Sequence, residues 1–260
     1  MGVPTRPTTP GGLATRQIVR NSAAGDAVRV VGLHKSFGDR PVLWDLDLTV
    51  GWGESLVLFG ANGVGKTTLL RILSTQVRSD AGTASVAGYD LRRQPAAIRR
   101  SLGVVGHRHF LYEDLTCREN LLFYGRLFNV SPLQQRVQAV LRRVGLESRG
   151  DQRVRTLSHG MQQRLSVARA ILHWPSLLLL DEPEAGLDRE AVVMLGSLLS
   201  EWTDSGRSVV MTTHNVELGL AWADRVALLT RGKIDFLEWM GERDVAGFRQ
   251  MLATCLEAPR

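Results

Sequence analysis

Apolar and polar positions change rhythm several times along this 260-residue chain. Val28-Arg29-Val30-Val31 reads as a first strand, and Leu43 to Val50 alternates apolar with polar as a half-buried antiparallel strand does. Between them, Lys35 to Arg40 reads as a turn, with the aromatic Phe37 just before Gly38. A second turn, Gly51-Trp52-Gly53, leads into Glu54 to Phe59, a short apolar run that predicts a buried strand. Leu69, Leu70, Ile72 and Leu73 then recur at helical spacing. Ala84-Ser85-Val86 and Ser101 to Gly106 read as further strands, with a basic helix from about Pro95 to Arg100 between them.

From about residue 107 to 170 the pattern becomes helical. Thr116 with Glu119 forms a capping box for a helix through Phe128. Ser131-Pro132 reads as an N-cap with proline in the first helical position; Val137, Val140, Leu141 and Val144 line one face of that helix, and Gly145 stops it. Strand and helix then alternate again: Leu177 to Asp181, a helix from about Arg189 to Trp202, Ser208 to Thr212, a helix after His214, and Val226 to Leu229. Such alternation predicts an α/β domain with a mostly parallel, twisted sheet, an N-terminal antiparallel β part and an inserted helical subdomain. No internal repeat is visible, so one unit is expected.

Composition narrows the class. Hydrophobic content of 44% and charged content of 22% are ordinary for a globular protein. No apolar run is long enough to span a bilayer, and the two cysteines, Cys117 and Cys255, make no disulfide framework. The net charge of +6 suits an anionic membrane surface or a polyanion, but no basic block or aromatic platform marks a nucleic-acid binder, and none is expected as partner. Residues 1–26, rich in Pro, Thr, Gly and Ala without an apolar signal core, are read as a disordered tail.

The chemistry concentrates in Gly60-Ala61-Asn62-Gly63-Val64-Gly65-Lys66-Thr67-Thr68, which matches the phosphate-loop pattern G-x-x-x-x-G-K-[ST]. Its glycines let backbone N–H groups converge on phosphate oxygens. Lys66 supplies a charge for the β- and γ-phosphates, Thr67 a hydroxyl for Mg²⁺, and the helix opening there a favourable dipole for an anion. The apolar strand 177–180 ends in Asp181 and Glu182: Asp181 is the second candidate Mg²⁺ ligand and Glu182 the candidate general base. Leu157-Ser158-His159-Gly160-Met161-Gln162-Gln163-Arg164 opens a helix whose start, at Ser158, is a second anion site. His214 follows a strand and can reach a γ-phosphate, and Phe37 can stack on an adenine ring.

In that order, Phe37, the phosphate loop, Leu157 to Arg164, Leu177 to Pro183, Gly186-Leu187-Asp188 and His214 resemble the ATP-binding cassette (ABC) ATPases. The resemblance implies a P-loop NTPase fold over residues 27–240, with a helical subdomain at about 107–170 and a tail or helix at 241–260. It implies ATP and Mg²⁺ as cofactors, and a homodimer or heterodimer of ATPase subunits sandwiching two ATP molecules. Each site would combine Phe37, Asn62 to Thr68, Asp181, Glu182 and His214 of one subunit with Ser158 and Gly160 of the other, Asp188 lying in the dimer-crossing loop. It further implies transmembrane permease subunits as partners, and a cytoplasmic protein peripheral on the inner face of the cell membrane. Phe110 to Thr116, Glu119 to Leu121 and Phe123 to Leu127 resemble more narrowly the ATP-binding subunit of the haem exporter of cytochrome c maturation. The alternatives are another ABC exporter, for a drug, lipid or polysaccharide, or an ABC ATPase outside transport.

One position departs from that family. Its members carry a glutamine between the sheet and the helical subdomain; here the segment reads Gly106-His107-Arg108-His109. The equivalent position is Arg108 or His107, depending on the spacing used, and both belong to the expected coupling loop. Placed there, Arg108 would turn from the metal towards the γ-phosphate or an acid such as Glu182, the latter in the empty enzyme.

Overall fold

The computed structural model describes residues 25–106 and 108–240. The expected N-terminal tail (apart from Gly25 and Asp26), His107 and the segment 241–260 lie outside the described residues.

Two sheets form. Strands β1 (Val28–Phe37), β2 (Arg40–Val50), β4 (Ala81–Val86) and β5 (Tyr89–Asp90) make an antiparallel sheet in the order β2-β1-β4-β5. Strands β3 (Ser55–Phe59), β6 (Leu102–Val105), β7 (Leu177–Asp181), β8 (Ser208–Thr212), β9 (Arg225–Thr230) and β10 (Lys233–Trp239) make the second, in the order β10-β9-β3-β8-β7-β6. All its neighbours run parallel except β10, which pairs antiparallel with β9.

The second sheet is buried on both faces, as its continuous apolar strands require. Side chains alternate between two cores. Leu56, Leu58, Leu177, Leu179 and Val210 face one core, shared with Leu33 and Leu43 of the antiparallel sheet and Leu69 and Ile72 of helix α1 (Lys66–Leu73). Val57, Phe59, Leu178, Leu180, Val209 and Met211 face the other, shared with Leu165 of α5 (His159–Ile171) and Leu195 and Leu198 of α6 (Arg189–Asp204). Between β6 and β7 the chain is helical: α3 (Cys117–Leu127), α4 (Leu133–Arg143), two single 3-10 turns and α5. The short helices α2 (Pro95–Ser101) and α7 (Val216–Trp222) complete the described elements.

Local signals hold at several ends. Thr116 caps α3 in a full capping box with Glu119. Val137, Val140, Leu141 and Val144 are buried, and Gly145 follows α4 with φ 69°. Two expectations need correction, and two strands add to the reading. Lys35 to Phe37 continue β1 instead of turning, because Asp80 accepts from Lys35 Nζ (2.7 Å) and from the Ser36 N–H (2.6 Å), a partner distant in sequence. Ser131 caps nothing: Pro132 is itself the N-cap of α4 and no side chain bonds that end. The edge strands β5 and β10 were not expected at all. β10 returns through Arg231-Gly232, whose φ values of 46° and 78° are those of a tight type I′ hairpin.

Candidate functional site

The parallel order β3-β8-β7 delivers the loops after these three strands to one sheet edge. In an open α/β sheet, ligands bind at that carboxyl edge.

After β3 the chain bends through Gly60 (φ 152°) and Gly65 (φ 119°). A Cβ on Gly60 would stand 2.4 Å from the Leu229 carbonyl oxygen, and one on Gly65 would stand 2.7 Å from Leu43 Cδ2 and 3.1 Å from the Val42 carbonyl oxygen. Both positions therefore need glycine, for dihedral and for space. No side chain caps α1, so its first N–H groups remain turned towards the loop. Lys66 is 6% exposed; its ammonium donates to the carbonyls of Gly60 (2.7 Å) and Ala61 (3.1 Å). Burial holds its pKa below the ordinary lysine value, while the charges of Glu182 and Asp181 pull it back up.

At the end of β7, Asp181 is buried and accepts from Thr212 Oγ1 (2.6 Å), its register partner on β8. Glu182 follows with φ 52°, a strained value for a residue with a side chain. Its N–H donates to the Thr212 carbonyl (3.1 Å), and its Oε1 meets His214 Nε2 at 2.6 Å. The expected Arg108–Glu182 contact is thus absent. β8 neighbours β7, so the segment after it brings His214 to Glu182, while Arg108 stays exposed to water, where its guanidinium is well hydrated.

These groups line one cleft of about 820 Å³: Phe37, Asn62 to Thr68, Glu182 and His214. Phe37, 51% exposed at the end of β1, forms one wall. Arg40, Pro41 and Val42 of β2 and Arg231 and Gly232 of the β9–β10 turn also line it. Sequence reading missed these five; the Arg-Gly pair in a two-residue turn was the available signal. Gly60 and Asp181 sit beneath the cleft, not on its lining.

Ser158 and Gly160 do not reach this cleft. Ser158 caps α5, accepting from the Met161 N–H (3.3 Å). Asp188 caps α6 through the Ala191 N–H (2.8 Å) and pairs with Arg164 of α5 at 2.6 Å. The first turn of α5 and the loop 183–188 are therefore fastened together, away from the phosphate loop of the same chain.

This fold and cleft define a nucleotide-binding cassette, and the chain belongs to the ABC transporter family, whose model matches residues 43–185. It is 38% identical over 209 residues to the Nod factor export ATP-binding protein I of a Rhizobium species, covering 80% of this chain and 69% of that protein. It is 37% identical over 213 residues to a daunorubicin resistance ATP-binding protein of Streptomyces coeruleorubidus, covering 81% and 67%. Among solved structures, the ATP binding subunit of an ABC transporter superposes with a TM-score of 0.80 at 26% identity, covering 87% of this chain and 99% of that one. A dimeric ATP-binding cassette in a post-hydrolysis state with ADP and Pi shares the fold, with a TM-score of 0.73 at 24% identity, covering 82% and 98%. The chain spans about two thirds of the length of the two named relatives. Among the described residues no helix is long and apolar enough to cross a membrane.

Proposed function

We propose that this chain is the ATP-hydrolysing subunit of an ABC exporter and that it drives separate membrane-spanning permease subunits. The observation that carries the reading is the single cleft in which Phe37, the loop from Asn62 to Thr68, Glu182 and His214 meet. Phe37 stacks on adenine. The loop N–H groups, Lys66 and Thr68 hold the phosphates. Thr67 and Asp181 offer a hydroxyl and a carboxylate, the hard oxygen donors that suit Mg²⁺, and they are the residues that would hold it. Held by them, Mg²⁺ would supply positive charge against the charge that develops on the phosphates. Glu182 takes the proton of the attacking water, and His214 steadies the γ-phosphate once the Glu182–His214 contact opens to admit it.

Ser158 and Gly160 lie away from this cleft, which supports a role in completing the site of a second subunit, with Asp188 at the crossing between the two. The dimer is of two such chains or of this chain with a related one. Residues 27–240 form the cassette. The segment from Arg108 to Thr116 and helix α3 form the surface that meets the permease. Exposed Phe110, Tyr112 and Phe123 supply its apolar area, and it places the chain peripherally on the cytoplasmic face of a membrane.

For the cargo, the relatives favour the exporter alternative over haem. Their names carry Nod factor export and daunorubicin or doxorubicin resistance. We therefore assign export of a product of that kind in preference to haem. Phosphate release by the purified chain with Mg²⁺ and ATP tests the enzymatic part, and a chain that binds ATP without releasing phosphate contradicts it. Export assays of daunorubicin in cells carrying the chain with its permease test the cargo.

A further inference from the structure

The loop 183–188 is held to α5 at three points. Gln163 Nε2 donates to the Pro183 carbonyl (2.9 Å), and Arg164 pairs with Asp188 (2.6 Å). Gly186 and Gly160 meet so closely that a Cβ on Gly160 would stand 2.6 Å from the Gly186 carbonyl oxygen. Toward β8 the attachment is different. Glu182 reaches Thr212 through its backbone N–H and His214 through Oε1, and a second side chain, Glu184, also crosses to the segment after β8. Its Oε1 accepts from the hydroxyl of Thr213, the residue immediately before His214. The same hydroxyl accepts the Asn215 N–H at 2.9 Å, so it ties together both sides of His214. Thr213 is 1% exposed and its methyl group lies beside Gly219, leaving it little room to turn elsewhere.

Glu184 is an unexpected residue for a structural tie. Burial raises its pKa and the charge of Glu182 raises it further, while the Thr213 hydrogen bond and His214 lower it. Its second oxygen, Oε2, is buried with no hydrogen-bond partner among the described residues. A serine or asparagine would reach less far, and an apolar residue would leave the Thr213 hydroxyl without its acceptor.

We propose that Glu184 is a positioning residue for hydrolysis: through the Thr213 hydroxyl it fixes the segment 213–215, and so the point from which the His214 imidazole meets Glu182 in the free chain and the γ-phosphate once that contact opens. The loop that carries Glu184 is the one clamped to α5, so a displacement of the first turn of α5 passes through Glu184 to His214. The inference rests on the reading of this cleft as an ATP-hydrolysing site. Glu184 itself does not line the cleft, and its effect belongs in turnover, not in ATP affinity.

The test is steady-state phosphate release and fluorescent ATP-analogue binding on the full chain and five variants. Glu184→Leu and Thr213→Val each lower kcat by about ten- to a hundredfold, the scale of a misplaced catalytic group, with nucleotide affinity within about threefold of wild type. The double variant loses no more than the worse single, because both remove one contact. Glu184→Gln, whose amide oxygen still accepts from Thr213, and Thr213→Ser, which keeps the hydroxyl, retain most of kcat. Unchanged turnover in Glu184→Leu, losses that multiply in the double variant, or a loss that appears wholly in affinity would overturn the inference. If Glu184→Leu fails to fold, a Glu184→Gln or Thr213→Ser enzyme as slow as Thr213→Val overturns it equally. A wild-type chain that releases no phosphate defeats the hydrolytic reading instead, so the two failures are distinguishable.

Discussion

Replacing Lys66 by methionine isolates the ammonium, since methionine keeps an unbranched stem of similar length. In the free chain Lys66 Nζ already donates to the carbonyls of Gly60 at 2.7 Å and Ala61 at 3.1 Å. Binding ATP therefore exchanges two charged hydrogen bonds for contacts to phosphate, and the net gain is less than the full worth of the new ones. A hydrogen bond to a charged group contributes about 1.5–3 kcal/mol, so a net gain of about 2 kcal/mol is expected, or about thirtyfold in Kd. The Gly60 and Ala61 carbonyls left behind face the position of the Lys66 amine, which itself lines the cleft, so water can take the place of the amine and the fold survives. Titration of a fluorescent ATP analogue with Mg²⁺ measures the ratio, with thermal melting as the control for folding. Lys66→Arg does not restore affinity, because a planar guanidinium fork does not fit a loop closed by Gly60 and Gly65. A Lys66→Met chain that binds within twofold of wild type would refute the placement of the phosphates against this loop.

His173, stacked on Phe128 at 3.9 Å and bonded to the Leu102 carbonyl at 3.0 Å, is pushed down to about 4, chiefly by burial. Between pH 6.5 and about 4 the unfolded chain binds a proton that the native state refuses, so stability is full above that window and falls by about 3 kcal/mol across it. Urea titrations at pH 7.5 and 4.5 should show the fall, and His173→Gln should flatten it; parallel slopes would contradict the assignment. Glu184 works in the opposite sense: its raised pKa means that stability declines as pH rises through the window above the unfolded value. Glu184→Gln is accordingly more stable than wild type at neutral pH and indistinguishable near pH 4, as differential melting would read. Leu121→Ala, at a fully buried position of α3, costs about 2–5 kcal/mol in urea unfolding while nucleotide affinity is retained; an unchanged midpoint would refute the packing of α3 on the core.

The sequence was most informative where local chemistry and periodicity agree. The strand 55–59, the glycines that follow and the helix from Lys66 are one continuous local signal, and the structure keeps them together. The apolar run 177–180 also showed itself, because a strand buried on both faces has no polar interruption. What stayed hidden depends on partners distant in the chain. Asp80 extends β1 through Phe37 by capturing Lys35 and Ser36. β10 lies at an edge, is mostly half-buried and carries Lys233, Asp235 and Glu238 among its apolar residues, so its alternation is weak. Arg40 and Arg231 line the cleft only because two turns from opposite ends of the chain meet there. The Glu182–His214 contact followed from β7 and β8 being neighbours, a fact of strand order that spacing along the chain does not encode.

The central claim is that this chain hydrolyses ATP with Glu182 as base in a site completed by a second subunit. Glu182→Gln keeps the shape and removes the base. Incubated with Mg²⁺ and ATP and passed over a sizing column, the variant is predicted to bind nucleotide like wild type, to release phosphate at least a hundredfold more slowly, and to elute as an ATP-bound dimer. A Glu182→Gln chain that binds ATP and remains monomeric, or that turns over at the wild-type rate, would contradict the account.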